Sequence, residues 1–491
     1  MLQTSRRRLP QFFAYGLLAV SSAVFPACSS EPLARPESAK PNILFILVDD
    51  LGWADVGSFG SKLHETPNID RLASQGMRFT NAYAACPVCS PTRASIMTGR
   101  YPVRQGITNY IRGDHRLPYS AVIPPKNEYQ LPLEEVTIAE ALRGAGYTTG
   151  HIGKWHLGDE GFLPQDQGFD YNYAGTRSGM PRSFFFPQWK GNPPVEAEEG
   201  EYLPDHLTDH ALEFIEGNQD KPFFLYLSFY AVHIPIEAKE EHVKKFEAKL
   251  TPGLVPGKDQ HNPIYAGMIY SVDENIGRLM DKLDELEIAG NTIIFFMSDN
   301  GGLNSPEWKN EPVTSNAPLR NGKGHLYEGG IREPLIIKWP GVTAPGSTSD
   351  VPVSSVDFFP TMLGMAGAWE SRISAIELDG VSLEPLLKQE GAFAARELYW
   401  HYPHYSNQLG RPGGAVRQGD FKLIEFYDDD SLELYNLEDD IGETNNLAEA
   451  MPDKVKQLRG LLDAWRKSLG AKMPAPNPDY DPERADLRVR P

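Results

Sequence analysis

Four uninterrupted apolar runs, each ending in polar or metal-capable residues, constrain this chain more than any other feature. They are Asn42–Val48, which ends in Asp49-Asp50; Tyr147–Ile152, which ends in Gly153-Lys154-Trp155-His156; Pro222–Tyr230, which ends at His233; and Thr292–Ser298, which ends in Asp299-Asn300-Gly301-Gly302. An apolar residue at nearly every position suits a strand buried on both faces. Amphipathic segments accompany the runs at 67–76 after Thr66-Pro67, 137–144 after Val136, 205–216 and 265–288. The pattern predicts an α/β fold with a large, mostly parallel sheet sandwiched by helices. In such sheets ligands bind beyond the carboxyl ends of the strands, where loops and helix N-termini collect. Asp-Asp or Asp-Asn-Gly after a strand is commonly a turn, and a lone histidine there is commonly structural. Four runs discharging such residues on one edge argue for a site.

At 491 residues the chain exceeds one small core and suits a large domain, assigned here to 41–375, followed by a smaller one at 376–475. Beyond residue 375 the texture changes to short β-like pieces, 397–401, 414–417, 421–426 and 432–435, with an amphipathic helix at 452–469. These predict a small antiparallel sheet packed by a terminal helix, with 476–491 an irregular tail. The balance of 47 basic against 66 acidic residues gives a net charge of −19, which opposes non-specific binding to nucleic acid or an anionic membrane. An anionic substrate would need a local basic pocket.

Ser5-Arg6-Arg7-Arg8 and the apolar run FFAYGLLAVSSAVFPA have the charged start and short apolar middle of a secretory signal, predicting residues 1–28 as a signal and 29–40 as a linker. The expected destination is the periplasm or the exterior, by the Sec or twin-arginine route. Cys28 stands where a bacterial lipid-anchor cysteine would stand, although Phe25-Pro26-Ala27 departs from the usual small residues before it.

With Cys28 in that segment, Cys86 and Cys89 are the remaining thiols, too few for a disulfide scaffold. No second C-x-x-C accompanies Cys86-Pro-Val-Cys89 to complete a zinc site, and a redox pair leaves Pro91 and Arg93 unexplained. Ser90-Pro91 reads as an N-cap followed by a first-turn proline, which puts Cys89 at the positive end of a helix, a natural oxyanion site. Arg93 falls in the first turn, and Cys86 is read as a small packed residue.

Cys89-Ser90-Pro91-Thr92-Arg93, with Thr98-Gly99-Arg100 beyond, resembles the signature of the type I sulfatases of the alkaline-phosphatase superfamily, in which the cysteine of C-x-P-x-R is oxidised to formylglycine. The similarity runs from Asn42 to about Ala450. It passes through Asp49-Asp50, Gly153-Lys154-Trp155-His156, Val232-His233-Ile234-Pro235, Ser298-Asp299-Asn300-Gly301 and Gly322-Lys323-Gly324, and ends in Glu433–Leu447. The resemblance implies a divalent cation held by Asp49, Asp50, Asp299 and Asn300, with Cys89 contributing after modification. These hard oxygen donors suit Ca²⁺, or less well Mg²⁺, rather than zinc. It further implies that the hydrated aldehyde made from Cys89 attacks the sulfur of a sulfate ester and later expels sulfate, with His156 as base, Lys154 and Arg93 orienting, and His233 and Lys323 binding sulfate, one of them protonating the leaving oxygen. A formylglycine-generating enzyme is an implied partner.

The expected substrate is a sulfated carbohydrate, resembling galactose or N-acetylgalactosamine 4-sulfate in a polysaccharide. His401, His404, Arg411 and Arg417 are candidate sugar readers; the alternative is that they pack the domain junction. Two other functions are weighed. A phosphatase or phosphonate hydrolase of the same superfamily typically uses two transition metals with several histidine ligands, where only one hard-oxygen set is visible here. A secreted carbohydrate-binding protein that lost catalysis is opposed by occupancy of every expected catalytic position.

Overall fold

The structure, a computed structural model, describes residues 40–113, 117–188, 195–368, 376–391 and 393–488. The proposed signal, the linker up to residue 39 and Cys28 lie outside them. Lys40–Pro491 forms one compact unit. Its centre is a nine-stranded sheet running through Val353–Ser354, Met77–Tyr83, Arg332–Lys338, Thr292–Ser298, Asn42–Val48, Phe223–Ser228, Thr148–Gly153 and Tyr171–Tyr173, with Ser347–Ser349 pairing Met77–Tyr83 off that path. Thr292–Ser298 through Tyr171–Tyr173 are mutually parallel, while Arg332–Lys338 runs antiparallel to both its neighbours. All four runs singled out in the sequence lie in the parallel part.

Asn42–Val48 shows why such a run must be apolar throughout. Leu44, Ile46 and Val48 enter one core with the helices Pro67–Gln75, Leu203–Gly217 and Pro263–Glu285. Ile43, Phe45 and Leu47 enter the other with Cys89–Thr98, Ile138–Gly144 and Phe358–Met365. Alternate side chains therefore meet different helical layers, and neither face tolerates a polar residue.

A second, four-stranded antiparallel sheet runs in order Glu397–Tyr402, Gly413–Gln418, Phe421–Phe426 and Leu432–Asn436. One face packs on Tyr83, Cys86 and Val88, and the other holds Leu458 and Leu462 of the terminal helix Pro452–Ser468. Cys86 is buried in this apolar contact, and burial pushes its thiol pKa up, so it behaves as an inert packed residue. The tail is not wholly irregular, since Ala475–Pro476 pairs with Val122–Ile123. Among the described residues no helix is long and apolar enough to cross a membrane.

Candidate active site

Strand register assembles the site. Val48 pairs with Ser298, and Leu47 and Gly153 both pair with Ser228. The residues that follow, Asp49, Asp299 and Lys154, therefore leave the sheet side by side. Asp299 N–H donates to the Val48 carbonyl at 3.2 Å, and Lys154 N–H donates to that of Ser228 at 2.7 Å. Gly153 has φ +98°, and a Cβ there would stand 1.9 Å from the Ser228 carbonyl oxygen, so this close approach requires glycine. Asp50 and His156 are non-glycine residues at φ 60° and 57°, strained backbone of the kind that clusters at functional sites.

The helix carrying Cys89 spans Cys89–Thr98 and is buried throughout. Cys89 is its first residue and Val88 its N-cap, which corrects the placing of the cap at Ser90. The Ser90 hydroxyl instead accepts the Ile111 N–H at 3.0 Å, and the Thr92 hydroxyl donates to the carbonyls of Cys86 and Val88. Cys89 sits at the positive end of the helix all the same.

Cys89 Sγ lies 3.4 Å from His156 Nδ1, and His156 Nε2 lies 3.2 Å from the Ile111 carbonyl. A carbonyl only accepts, so Nε2 carries the hydrogen and Nδ1 turns its lone pair toward Cys89. Burial, with Lys154 and Arg93 nearby, holds His156 well below the usual histidine pKa and keeps it neutral. The Cys89 thiol is pushed up, chiefly by burial, so an unmodified thiol here is a poor nucleophile.

Around this pair stand three carboxylates and three cations. Arg93, 1 % exposed, donates through Nε to Asp299 Oδ2 at 2.9 Å and through Nη1 to the Lys154 carbonyl and the Ser228 hydroxyl. Lys154 Nζ donates to Asp49 Oδ2 at 2.6 Å, and Lys323 Nζ to Asp50 Oδ2 at 2.8 Å. Asn300 Nδ2 donates to Asp50 Oδ1 at 2.8 Å. His233 Nδ1 donates to the Ile234 carbonyl at 2.8 Å, leaving Nε2 3.6 Å from Asp50 Oδ2. Burial pushes Asp50 up, but Lys323, His233 and Lys154 outweigh it and hold its carboxyl at about 2. Burial and Lys323 lower His233 to about 3 against the opposing pull of Asp50.

Two oxygens test whether the site fits a cation. Asp49 Oδ1 and Asn300 Oδ1 are buried with no hydrogen-bond partner, where an unsatisfied polar atom is costly. Burial and the charge of Asp299 together drive Asp49 well above the usual carboxylate pKa, more than Lys154 and Arg93 offset. Carboxylate and amide oxygens crowded this way are the donor set a hard divalent cation takes.

The structure thus brings Cys89, Arg93, Lys154, His156, His233 and Lys323 together with Asp49, Asp50, Asp299 and Asn300. The four candidate sugar readers each make contacts within the protein. His401 contacts Tyr427 Oη and the Lys472 carbonyl, and His404 contacts Thr108 Oγ1. Arg411 pairs with Asp428 and Asp429, and Arg417 with Tyr83 Oη and the Gly419 carbonyl. Two contributors escaped sequence reasoning. Ser228 is visible afterwards as the polar end of an apolar run, whereas the Ile111 carbonyl carries no signal in sequence at all.

Comparison with known proteins agrees with this geometry. The family model described as Sulfatase matches residues 41–368, and that described as N-sulphoglucosamine sulphohydrolase, C-terminal, matches residues 321–468. The chain belongs to the sulfatase family.

This sulfatase is 33% identical to a protein named Sulfatase from Formosa agariphila, the match covering 94% of each chain, and 33% identical to human Arylsulfatase A over 87% of each. It is 35% identical to N-acetylgalactosamine-6-sulfatase of Sus scrofa, over 74% of this chain and 68% of that one. Among solved structures it is similar to Ps i-CgsB in complex with k-i-k-neocarrahexaose, at TM-score 0.73 and 32% identity over 90% of this chain and 94% of that one. The enzyme is therefore a type I sulfatase of the alkaline-phosphatase superfamily, hydrolysing sulfate esters.

Proposed function

We propose that this sulfatase is an exported enzyme that removes sulfate from a carbohydrate, using formylglycine made from Cys89 and a calcium ion held by Asp49, Asp50, Asp299 and Asn300. The observation that carries the reading is the pairing of a helix-terminal Cys89 with His156 Nδ1 at 3.4 Å, beside the unpartnered oxygens of Asp49 and Asn300. When present, the cation supplies a Lewis acid and the formylglycine a hydrated aldehyde with two hydroxyls, one to attack sulfur and one to release it.

The chain's own residues supply the rest. His156 Nδ1 accepts the proton lost at position 89, and the Ile111 carbonyl holds the ring in the tautomer that allows it. Arg93 and Lys154 fix Asp299 and Asp49. Lys323, on the Asp50 side, offers N–H donors to sulfate oxygens, and His233 Nε2 can donate there or protonate the departing alcohol only once the ring has taken up a second proton, its Nδ1–H being held by the Ile234 carbonyl. Asp49, Asp50 and Asp299 are matched in charge by Arg93, Lys154 and Lys323, so a divalent cation leaves two positive charges, one of which the single negative charge of a sulfate ester offsets.

The sugar reading draws on relatives, among them N-acetylgalactosamine-6-sulfatases and a carbohydrate-bound neighbour, and favours a galactose-type residue in a polysaccharide; the 4-sulfate expected from the sequence stands beside the 6-sulfate that those relatives' names give. Three measurements test the proposal: mass analysis of the peptide bearing Cys89, turnover of 4-nitrophenyl sulfate against 4-nitrophenyl phosphate, and desulfation of defined carrageenan, chondroitin, ulvan and fucoidan oligosaccharides. Expected are formylglycine, a large preference for sulfate and release from a galactose-type sugar. A preference for phosphate would move the enzyme to the phosphatase branch.

A further inference from the structure

A cavity of about 630 Å³ is lined by Arg177, Met180, Arg182, Ile234, Pro235 and Trp308. Each of its walls continues from the active site. Ile234 and Pro235 directly follow His233. The segment Arg177–Arg182 crosses the His156 ring at Gly179, where a Cβ would stand 2.5 Å from His156 Cε1. Trp308 follows Glu307, whose charge acts on Lys323. The cavity therefore opens beside the group to be cut, where the remainder of a substrate must lie.

Its chemistry differs from that of the sulfate pocket. Trp308 is half-buried and packs on the core, so its ring is held as a fixed apolar face. Arg177 is paired with Asp159 Oδ2 at 2.6 Å, and Arg112 reaches the same carboxylate at 3.8 Å. Arg182 is exposed and has no ion pair or hydrogen bond among the described residues. An unpaired guanidinium on the rim of such a cavity, in a chain of net charge −19, is available to an incoming anion.

We infer that this cavity is a specificity subsite that takes a sugar ring against Trp308 and reads a second anionic substituent, a sulfate or carboxylate, with Arg182. The inference rests on the carbohydrate sulfatase reading and adds to it that the natural substrate carries an anion besides the one removed. Apolar ring faces and a few placed charged groups are what orient a polar ligand in such clefts.

The test compares wild type, Arg182→Gln, Arg182→Lys and Trp308→Ala on a disulfated galactose-type oligosaccharide and on its counterpart lacking the second sulfate. Arg182→Gln should lower kcat/KM on the disulfated sugar at least tenfold more than on the monosulfated one, mainly through KM, with Arg182→Lys recovering part of the loss. Trp308→Ala should weaken both sugars. In parallel, calorimetric binding of the disulfated sugar to the Cys89→Ser protein, with and without Arg182→Gln, should show the same tenfold difference. Equal losses on the two sugars, or unchanged binding, overturn the subsite while wild-type turnover of 4-nitrophenyl sulfate keeps the sulfatase chemistry standing; absence of any sulfated-sugar turnover by wild type overturns both.

Discussion

Replacing Lys154 by methionine removes a cation from beneath the site while nearly preserving side-chain volume. Its Nζ lies 2.6 Å from Asp49 Oδ2, with both side chains 0% exposed. At an effective dielectric of about 20, attraction at that distance is about 6 kcal/mol. Desolvation consumes part of it, and breaking such a pair from one side costs about 3–5 kcal/mol. Unfolding entropy of about 2.1 cal/mol/K per residue over roughly 450 residues converts this to a fall in Tm of about 3–5 °C. The pH dependence has a fixed sign. Asp49 is already pushed up by burial and Asp299 and rises further once its nearest cation is gone. A folded-state pKa raised above the unfolded one means the cost is absent at low pH, where the carboxyl is protonated in both states, grows as pH rises above the ordinary carboxylate value, and levels off once pH passes the raised one. The assay is thermal and urea unfolding in EDTA between pH 5 and 8 for Lys154→Met, Asp49→Asn and the double variant. The double variant should be little worse than Asp49→Asn alone, because a neutral amide needs no counter-charge. Simple additivity of the two losses, or a Lys154→Met cost that does not vary with pH, would refute the reasoning.

Three further outcomes are expected. Of His233→Ala and Lys323→Ala, the variant lacking the proton donor should lose about 100-fold or more on an alkyl or sugar sulfate but far less on 4-nitrophenyl sulfate, whose leaving group needs no proton; equal losses on both esters for both variants contradict a proton-donor role. Dialysis against a chelator should abolish turnover, with Ca²⁺ restoring it better than Mg²⁺, and Asn300→Leu should raise the Ca²⁺ concentration needed. Burial holds His151 and His404 at about 3 and His325 and His401 at about 4, against an ordinary 6.5, so their contribution to stability is present above about pH 6.5 and is lost as pH falls toward 4. Each costs about 1.4 kcal/mol per pH unit in that window, so urea midpoints should drop steeply from pH 6.5 to 5, and less steeply in His404→Gln.

Asn42–Val48 and Thr292–Ser298 were legible because burial on both faces selects apolar residues, and their predicted limits match the strands, whereas the parallel strand Thr148–Gly153 is nearly as buried yet carries Thr149 and His151. The antiparallel member Met77–Tyr83 was not legible, since MRFTNAY alternates in burial and carries no uniform run. Ser90 misled because Ser-Pro is a common way to open a helix, yet its hydroxyl serves the Ile111 N–H across space. His401, His404, Arg411 and Arg417 could be read only as alternatives, because a turn-rich segment bearing aromatic and basic side chains has the same composition whether it faces a ligand or a neighbouring loop. The structure adds their partners within the chain, among them the Asp428 and Asp429 carboxylates and the carbonyls of Gly419 and Lys472.

Cys89 retains 3% of its surface, inside a helix whose ten residues are all buried. Under the formylglycine proposal, whatever oxidises Cys89 has to reach it before the sheet closes over this helix, and a chain that folds first would keep a buried, unmodified thiol. The competent fraction of a preparation would then be decided by a race between folding and modification, before any substrate is encountered.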